Sequence, residues 1–399
     1  MANVKHVLLI FLMVTIIGSC DILNNGDRNN FAIEIDNDFD TLNERIQLVN
    51  EPIVLDSTLS KSQFTKPEYS LVANVKSPKI NGKRLSATSI ELRANKVYIS
   101  YHLYGNEYAG AVDIIDIKDE DKPCIISTAY FKNADINALD IEENGKKLWV
   151  TGGRDINTFT PNSDEQNGAM LGELHIDKDK FDDDDYREVP LPSFSGNDIV
   201  DAPGNKLFVA TGATGGGYFE VDKGRFKVTN SIYKNFAKSI DRRQGDIIGL
   251  NLANDHKATF TIMDYNNNSV DDINTPFTVA PVDGKNVLEH RASITYAALG
   301  DQGVKGYKFN NESEPVYEFK PLGEDVSNGV TVDGQYVYIA NGTDGLFITT
   351  IASSGNKEPE EVYSWKGGNG SANFVKTDGN FIILANGIDG LNILKKGKK

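Results

Sequence analysis

Residues 328–348 read NGVTVDGQYVYIANGTDGLFI, and residues 373–393 read NFVKTDGNFIILANGIDGLNI. The second stretch follows the first at an offset of 45 residues without a gap (373 − 328). The offset superposes Asn328 on Asn373, Gly334 on Gly379 and Ala340 on Ala385. It also superposes Asn341-Gly342 on Asn386-Gly387 and Asp344-Gly345-Leu346 on Asp389-Gly390-Leu391. A period in the forties, carried by short apolar runs and glycine turns, marks an array of units that bury surface against one another.

Older copies lie upstream. Asn286 to Gly303 aligns with Asn328 to Gly345 without a gap. Asn197 to Gly212 fits with one extra residue, and Asn137 to Gly153 with two. Residues 88–101 fit with Thr88 in the Asn place, and 239–265 form a degenerate copy without the Asn. Seven units thus begin near residues 88, 137, 197, 238, 286, 328 and 373.

Each unit reads as strands. KLFVA (206–210), YVYIA (336–340) and FIILA (381–385) are short, β-branched or aromatic, and bounded by Gly, Asn and Asp. Asp333-Gly334 and Asp378-Gly379 are hairpin signals, because glycine accepts the positive φ of a tight turn. After the first nineteen residues no segment sustains a 3.6-residue apolar period. The expected fold is all-β, a seven-bladed propeller of four-stranded units. The seventh unit has room for three strands before Lys399, which leaves a blade edge unpaired. EYSLVANV (68–75) precedes the first unit and is expected to supply the missing outer strand and close the ring.

The repeat resembles the LVIVD repeat family of seven-bladed propellers in bacterial envelope proteins. The resemblance rests on YVYIANGTDGLFI (336–348), FIILANGIDGLNI (381–393) and GAVDIIDIKDEDKP (110–123), and extends over about 88–396. It implies a fold and not an activity, because the family has no single shared chemistry.

Residues 1–19 are expected to be a lipoprotein signal peptide. Lys5 and His6 precede the apolar run VLLIFLMVTII (7–17), which is short for a membrane span and typical of an export signal. The run ends in Ile17-Gly18-Ser19-Cys20, which resembles the bacterial lipoprotein box and makes Cys20 the expected lipidation site. Two or more acyl chains give stable membrane attachment. Residues 20–66 then read as a lipidated, partly ordered tether, and 67–399 as the propeller. Within the tether, FAIEI (31–35) and PIVLD (52–56) are candidate strands lying on the propeller. As a whole, 21–66 allows a stand-off of roughly 35–40 Å as coil. Cys124, the second cysteine, reads as a small buried hydrophobe.

The formal charge is −16, and removing Lys5 with the leader makes it −17. Nucleic acid requires a basic footprint, so it is not an expected partner. The sequence holds no G-x-S-x-G, H-E-x-x-H, phosphate loop or C-x-x-C, and neither a cofactor nor a metal is expected. The acidic run DKDKFDDDDY (177–186) lacks the glycine and distal Glu of a calcium loop, so it reads as a solvated hairpin.

Two features remain as candidate sites. YHLYGNEYAG (101–110) offers Tyr101, His102, Tyr104 and Tyr108, and the matching loop of the next blade, 153–168, carries Arg154 and Asp155 and is the longest insertion. Together they are expected to form a binding rim at the channel mouth. Asn137, Asn197, Asn286, Asn328 and Asn373 open the innermost strand in five blades, either as a ligand-binding channel mouth or as local ties of each amide to its own loop. The expected function is a non-catalytic binding or scaffold module of the cell envelope, anchored in the outer membrane by lipid, for an envelope protein complex or a glycan. The alternatives are a hydrolase or lyase on a surface polymer, with its site assembled at the channel mouth, and a structural subunit of an outer-membrane machine.

Overall fold

The computed structural model describes residues 33–60, 66–158, 168–212, 215–264, 269–280, 284–309, 314–321, 323, 325–351 and 355–397. The leader, Cys20 and residues 21–32 lie outside the described residues, as do 159–167 of the long loop in the second blade.

The chain is a seven-bladed β-propeller. Blade 1 runs Ser86–Arg93, Lys96–His102, Gly110–Asp116 and Cys124–Phe131, each strand antiparallel to the last. Blade 2 holds Ala134–Ile141 to Lys180–Pro190, and blade 3 holds Gly196–Ala202 to Lys227–Tyr233. The degenerate unit is a complete blade 4, Ala237–Arg243 to Val270–Thr278. Blades 5 and 6 span Leu288–Arg291 to Tyr317–Phe319 and Gly329–Asp333 to Glu361–Trp365.

Blade 7 joins the two ends of the domain. Phe374–Thr377, Phe381–Ala385 and Leu391–Lys396 come from the C-terminal unit. Its outer strand is Tyr69–Val75, which pairs with the last strand from Leu391↔Val75 to Lys396↔Tyr69. The edge left open by the repeat count is therefore covered by the strand expected from the sequence.

Blade packing replaces a single core. Among the described residues, the buried apolar side chains form seven clusters, one at each junction between neighbouring blades. Alternate residues of a strand face opposite neighbours, so Tyr98 packs toward blade 2 while Val97 and Ile99 pack toward blade 7. The repeated Asn-Gly-x-x-Gly turns follow from backbone demand. Gly342 and Gly387 have φ of 50° and 57°, and Gly345 and Gly390 have 87° and 91°. A Cβ on Gly390 would also stand 2.0 Å from the Val75 carbonyl oxygen, against the closing strand.

The segment before the propeller is more ordered than a tether. Ile33–Asp36 adds a fifth strand to blade 1, Ile46–Pro52 to blade 7 and Asp56–Ser60 to blade 6. It thus wraps the outer edges of three consecutive blades across the closure seam. A short helix, Phe39–Asn43, lies between the first two strands. Arg45 clamps this arm by reaching the fully buried Asp113 with both terminal nitrogens, at 3.1 and 2.5 Å. The candidate strand at 52–56 is displaced, because the chain crosses between blades there.

Candidate functional site at the amide mouth

Inner strands start at one end of the propeller, and the loops joining second and third strands return to that same end. In blades 1 to 4 the ladder register slips across Thr88, Asn137, Asn197 and Lys238. A bulge leaves one residue out of the pairing and re-aims its side chain. These residues, with Gly284, Lys285, Asn328, Asn373 and His102, line a pocket of 270 Å³ drawn from all seven blades.

Four of the five amides bind the neighbouring blade and not their own loop. Asn137 Nδ2 donates to the Gly196 carbonyl oxygen at 3.0 Å and to Ser195 Oγ at 2.7 Å. Asn197 Nδ2 donates to Ala237 O at 2.8 Å, Asn328 to Ala372 O at 3.3 Å and Asn373 to Ala87 O at 3.3 Å. Thr88 Oγ1 makes the same link to Ile136 O at 2.9 Å. Each backbone acceptor is the residue just before the corresponding position of the next blade, so five of the seven blade junctions are stitched in this way. The expected local tie occurs at Asn286, which is buried and donates to Gly284 O at 2.7 Å. Lys285 therefore replaces Asn286 at the pocket wall.

A second ring, missed in the sequence, lies three residues further along. Counting three from Thr88, Asn137, Lys238, Asn286 and Asn373 reaches Glu91, Asp140, Asp241, Glu289 and Lys376. Asp140 Oδ2 accepts from Asp201 N at 2.5 Å, Asp241 Oδ2 from His290 N at 2.7 Å, and Glu289 Oε1 from Val332 N at 3.1 Å. Each donor again belongs to the next blade. Lys376 bridges Glu91 at 3.3 Å and Glu289 at 3.4 Å. Burial pushes Asp140 up to about 8 and Asp241 up to about 7. Burial opposes the charge of Lys376, but Glu91 and Glu289 beside it hold its ammonium well above the usual value. The readable signal was an ionisable residue recurring three residues after Thr88, Asn137, Lys238, Asn286 and Asn373, which share one position of the unit.

The rim divides into exposed and buried parts. Tyr104 is 87% exposed. Tyr108 is half-buried against Gly153 at the base of the blade 2 loop. His102 lines the pocket with Asn137, and burial lowers it to about 4, so it is neutral near pH 7. Two expected rim contacts are corrected. Tyr101 is fully buried, and its hydroxyl donates to Asp113 Oδ2 at 2.8 Å within the arm clamp. Arg154 is 1% exposed and is ion-paired with buried Glu188, to which Tyr186 also donates. Both are buried and hold the fold, so neither is exposed at the rim. Asp155 is half-buried and accepts from the backbone and side chain of Asn157. Asp135 accepts from Leu103 N and Ala109 N, pinning the blade 1 loop to blade 2, and burial raises it to about 7.

Further exposed apolar residues gather at this end. Ile156 stands in the blade 2 loop, Phe194 between blades 2 and 3, Tyr233 at the end of blade 3 and Ile388 in the blade 7 turn. With Tyr104 they form an arc over blades 7, 1, 2 and 3. At the opposite end the acidic run of 177–186 falls in the outer hairpin of blade 2, Ala169–Asp177 with Lys180–Pro190. The side chains of 183–185 lie outside the described residues. Cys124 is half-buried at that same end, and burial raises its thiol above the usual value. Among the described residues, no group of three or more His, Cys, Asp or Glu is placed to hold a metal ion, and no helix is long and apolar enough to cross a membrane.

No protein-family model matches the chain, and no curated protein matches it. Among solved structures, the crystal structure of the computationally designed Ika8 protein aligns with 80% of this chain and 99% of its own. The identity is 8% and the TM-score 0.47, a likeness too distant to carry an argument.

Proposed function

We propose that the protein is a lipid-anchored propeller of the bacterial outer membrane that serves as a non-catalytic binding or scaffold module for an envelope protein or a surface glycan. The observation that carries this reading is the arc of Tyr104, Ile156, Phe194, Tyr233 and Ile388 at the mouth end. Exposed aromatic and aliphatic anchors gathered on one face, around a polar centre, are how docking surfaces concentrate their energy. The lipobox-like Ile17-Gly18-Ser19-Cys20 and the LVIVD-like repeats support the address. The chain reaches the propeller at Ile33, which pairs with Phe131 at the mouth end of blade 1. Thirteen residues separate Cys20 from Ile33 (33 − 20), a reach of at most about 45 Å. As coil those thirteen residues span roughly 20 Å, about half the stand-off of a free 46-residue tether, so the mouth end is the end held toward the lipid surface.

Cys20→Ala tests the address: the variant is expected to leave the membrane fraction or remain unprocessed, and unchanged detergent partitioning refutes the anchor. Affinity capture from native membranes with mass spectrometry identifies the partner. Tyr104→Ala and Phe194→Ala should then each cost more than about 1 kcal/mol of binding. Thermal stability should stay within roughly 0.5 kcal/mol. Wild-type affinity in both variants overturns the docking face.

A further inference from the structure

We propose that the mouth pocket binds a small organic monocarboxylate, with Lys285 as the cation that receives it. The site lies inside the apolar arc and does not depend on a macromolecular partner. Its 270 Å³ suits a ligand no larger than a monosaccharide acid.

The argument starts from Lys285. Its Nζ donates to the Thr88 carbonyl oxygen across the axis and stands 4.6 Å over the Phe374 ring. Neither contact neutralises it. The carboxylate whose field it feels is Asp198, and that group is already engaged by Ser239 Oγ at 2.5 Å and Ile240 N at 3.1 Å. Burial consequently lowers the Lys285 ammonium to about 7, with Asp198 opposing the shift. A desolvated cation without a close counter-ion is costly, and an anion entering the mouth supplies one. Around it, neutral His102 and the amide ring offer hydrogen bonds suited to hydroxyl groups.

The same surroundings set the ligand's charge. Lys238 and Lys285 at the mouth disfavour a cation. A dianion such as a phosphate monoester brings a second negative charge toward the Glu91–Lys376–Glu289 cluster deeper along the axis, where two carboxylates already share one cation. A neutral sugar leaves Lys285 uncompensated. A single negative charge fits.

Binding must then draw a proton onto Lys285, because a counter-ion raises its pKa. Isothermal titration of the mature chain with D-glucuronate and with acetate, near pH 7.5 in two buffers of different ionisation enthalpy, measures both affinity and proton count. The expected result is 1:1 binding with uptake of roughly half a proton or more, and no binding of D-glucose. Lys285→Met should weaken glucuronate at least about tenfold while the propeller melts normally. If that variant fails to fold, the glucuronate–glucose contrast and the proton uptake in the wild-type chain decide the question. Equal affinity for glucose, absence of proton uptake, unchanged binding in a folded Lys285→Met, or no saturation below about 10 mM overturns the site. Tyr104→Ala and Phe194→Ala should leave this binding intact, so the pocket and the docking face fail or stand separately.

Discussion

The amides at the mouth and the carboxylates three residues deeper solve the same problem with opposite polarity. Both reach from an inner strand to the backbone of the next blade. The amides donate to carbonyl oxygens, as at Asn197 and Ala237, and the carboxylates accept N–H groups, as at Asp241 and His290. The amides are neutral, so their links carry no electrostatic penalty and no pH dependence. The carboxylates crowd the channel, where burial raises Glu91, Asp140 and Asp241 above the usual carboxylate range, and Lys376 bridges Glu91 and Glu289. The difference teaches that closure of the ring is held by pH-independent stitches at the mouth and by a charge-loaded belt inside.

The harshest way to break both rings is to open the circle. Deleting 69–75 removes the outer strand of blade 7, exposes its edge and unseats the Lys376–Glu91 seam. Loss of cooperative unfolding is expected in calorimetry, whereas deletion of 21–30 should leave the melting curve nearly unchanged. Equal curves for the two deletions refute strand exchange as the closure device.

Removing the balancing charge comes next. Lys376→Met leaves Glu91 and Glu289 without their cation and should cost about 3 kcal/mol in denaturant unfolding. A loss under about 1 kcal/mol would show that the belt is already largely protonated.

Proton linkage distinguishes the rings directly. The folded-state values of Asp135, Asp140 and Asp241 are raised to about 7, 8 and 7 by burial. Their contribution is fully present below the ordinary carboxylate range and is lost as pH rises through 7 to 8. Lys285, lowered to about 7, acts in the opposite sense: its contribution is present above its ordinary range and lost as pH falls toward 7. His102, lowered to about 4, likewise withdraws stability only below its ordinary value. After discounting for partial exposure, stability at pH 6 should exceed that at pH 8.5 by on the order of 2 kcal/mol. Asp241→Asn should flatten part of that slope, gaining stability at pH 8.5 and little at pH 5.5. A melting temperature that is higher at pH 8.5 than at pH 6 contradicts the belt's assigned state.

The smallest effect belongs to a single stitch. Asn373→Ala removes the link to Ala87 and should cost about 1 kcal/mol, equally at pH 6 and pH 8.5. A pH-dependent loss would mean that the two rings are coupled.

Much of this architecture was open to reading. Asn328 and Asn373, the Asp-Gly turns and the alternating apolar strands are local features, and they announce blades because turn chemistry and side-chain alternation act over a few residues. The missing strand of the last unit pointed to 68–75, the strand-like run just before the first unit, and the structure places that strand at Tyr69–Val75. The acid belt was legible too, since Glu91, Asp140, Asp241 and Glu289 recur at one spacing, but its mixture of Glu, Asp and Lys hid it behind the more uniform Asn.

What the sequence determined by itself is therefore the unit, the number of units and the need for an N-terminal strand, all fixed by short-range periodicity. Only the tertiary structure decided which blade each amide binds. Only there do Tyr101 and Arg154 turn inward, onto Asp113 and Glu188. Only there does the segment 33–60 wrap blades 1, 7 and 6. The physical reason is that these choices are made by burial and by partners far away in the chain. Asn373 meets Ala87 and Arg45 meets Asp113 only after the ring has closed, and no local spacing records such a meeting.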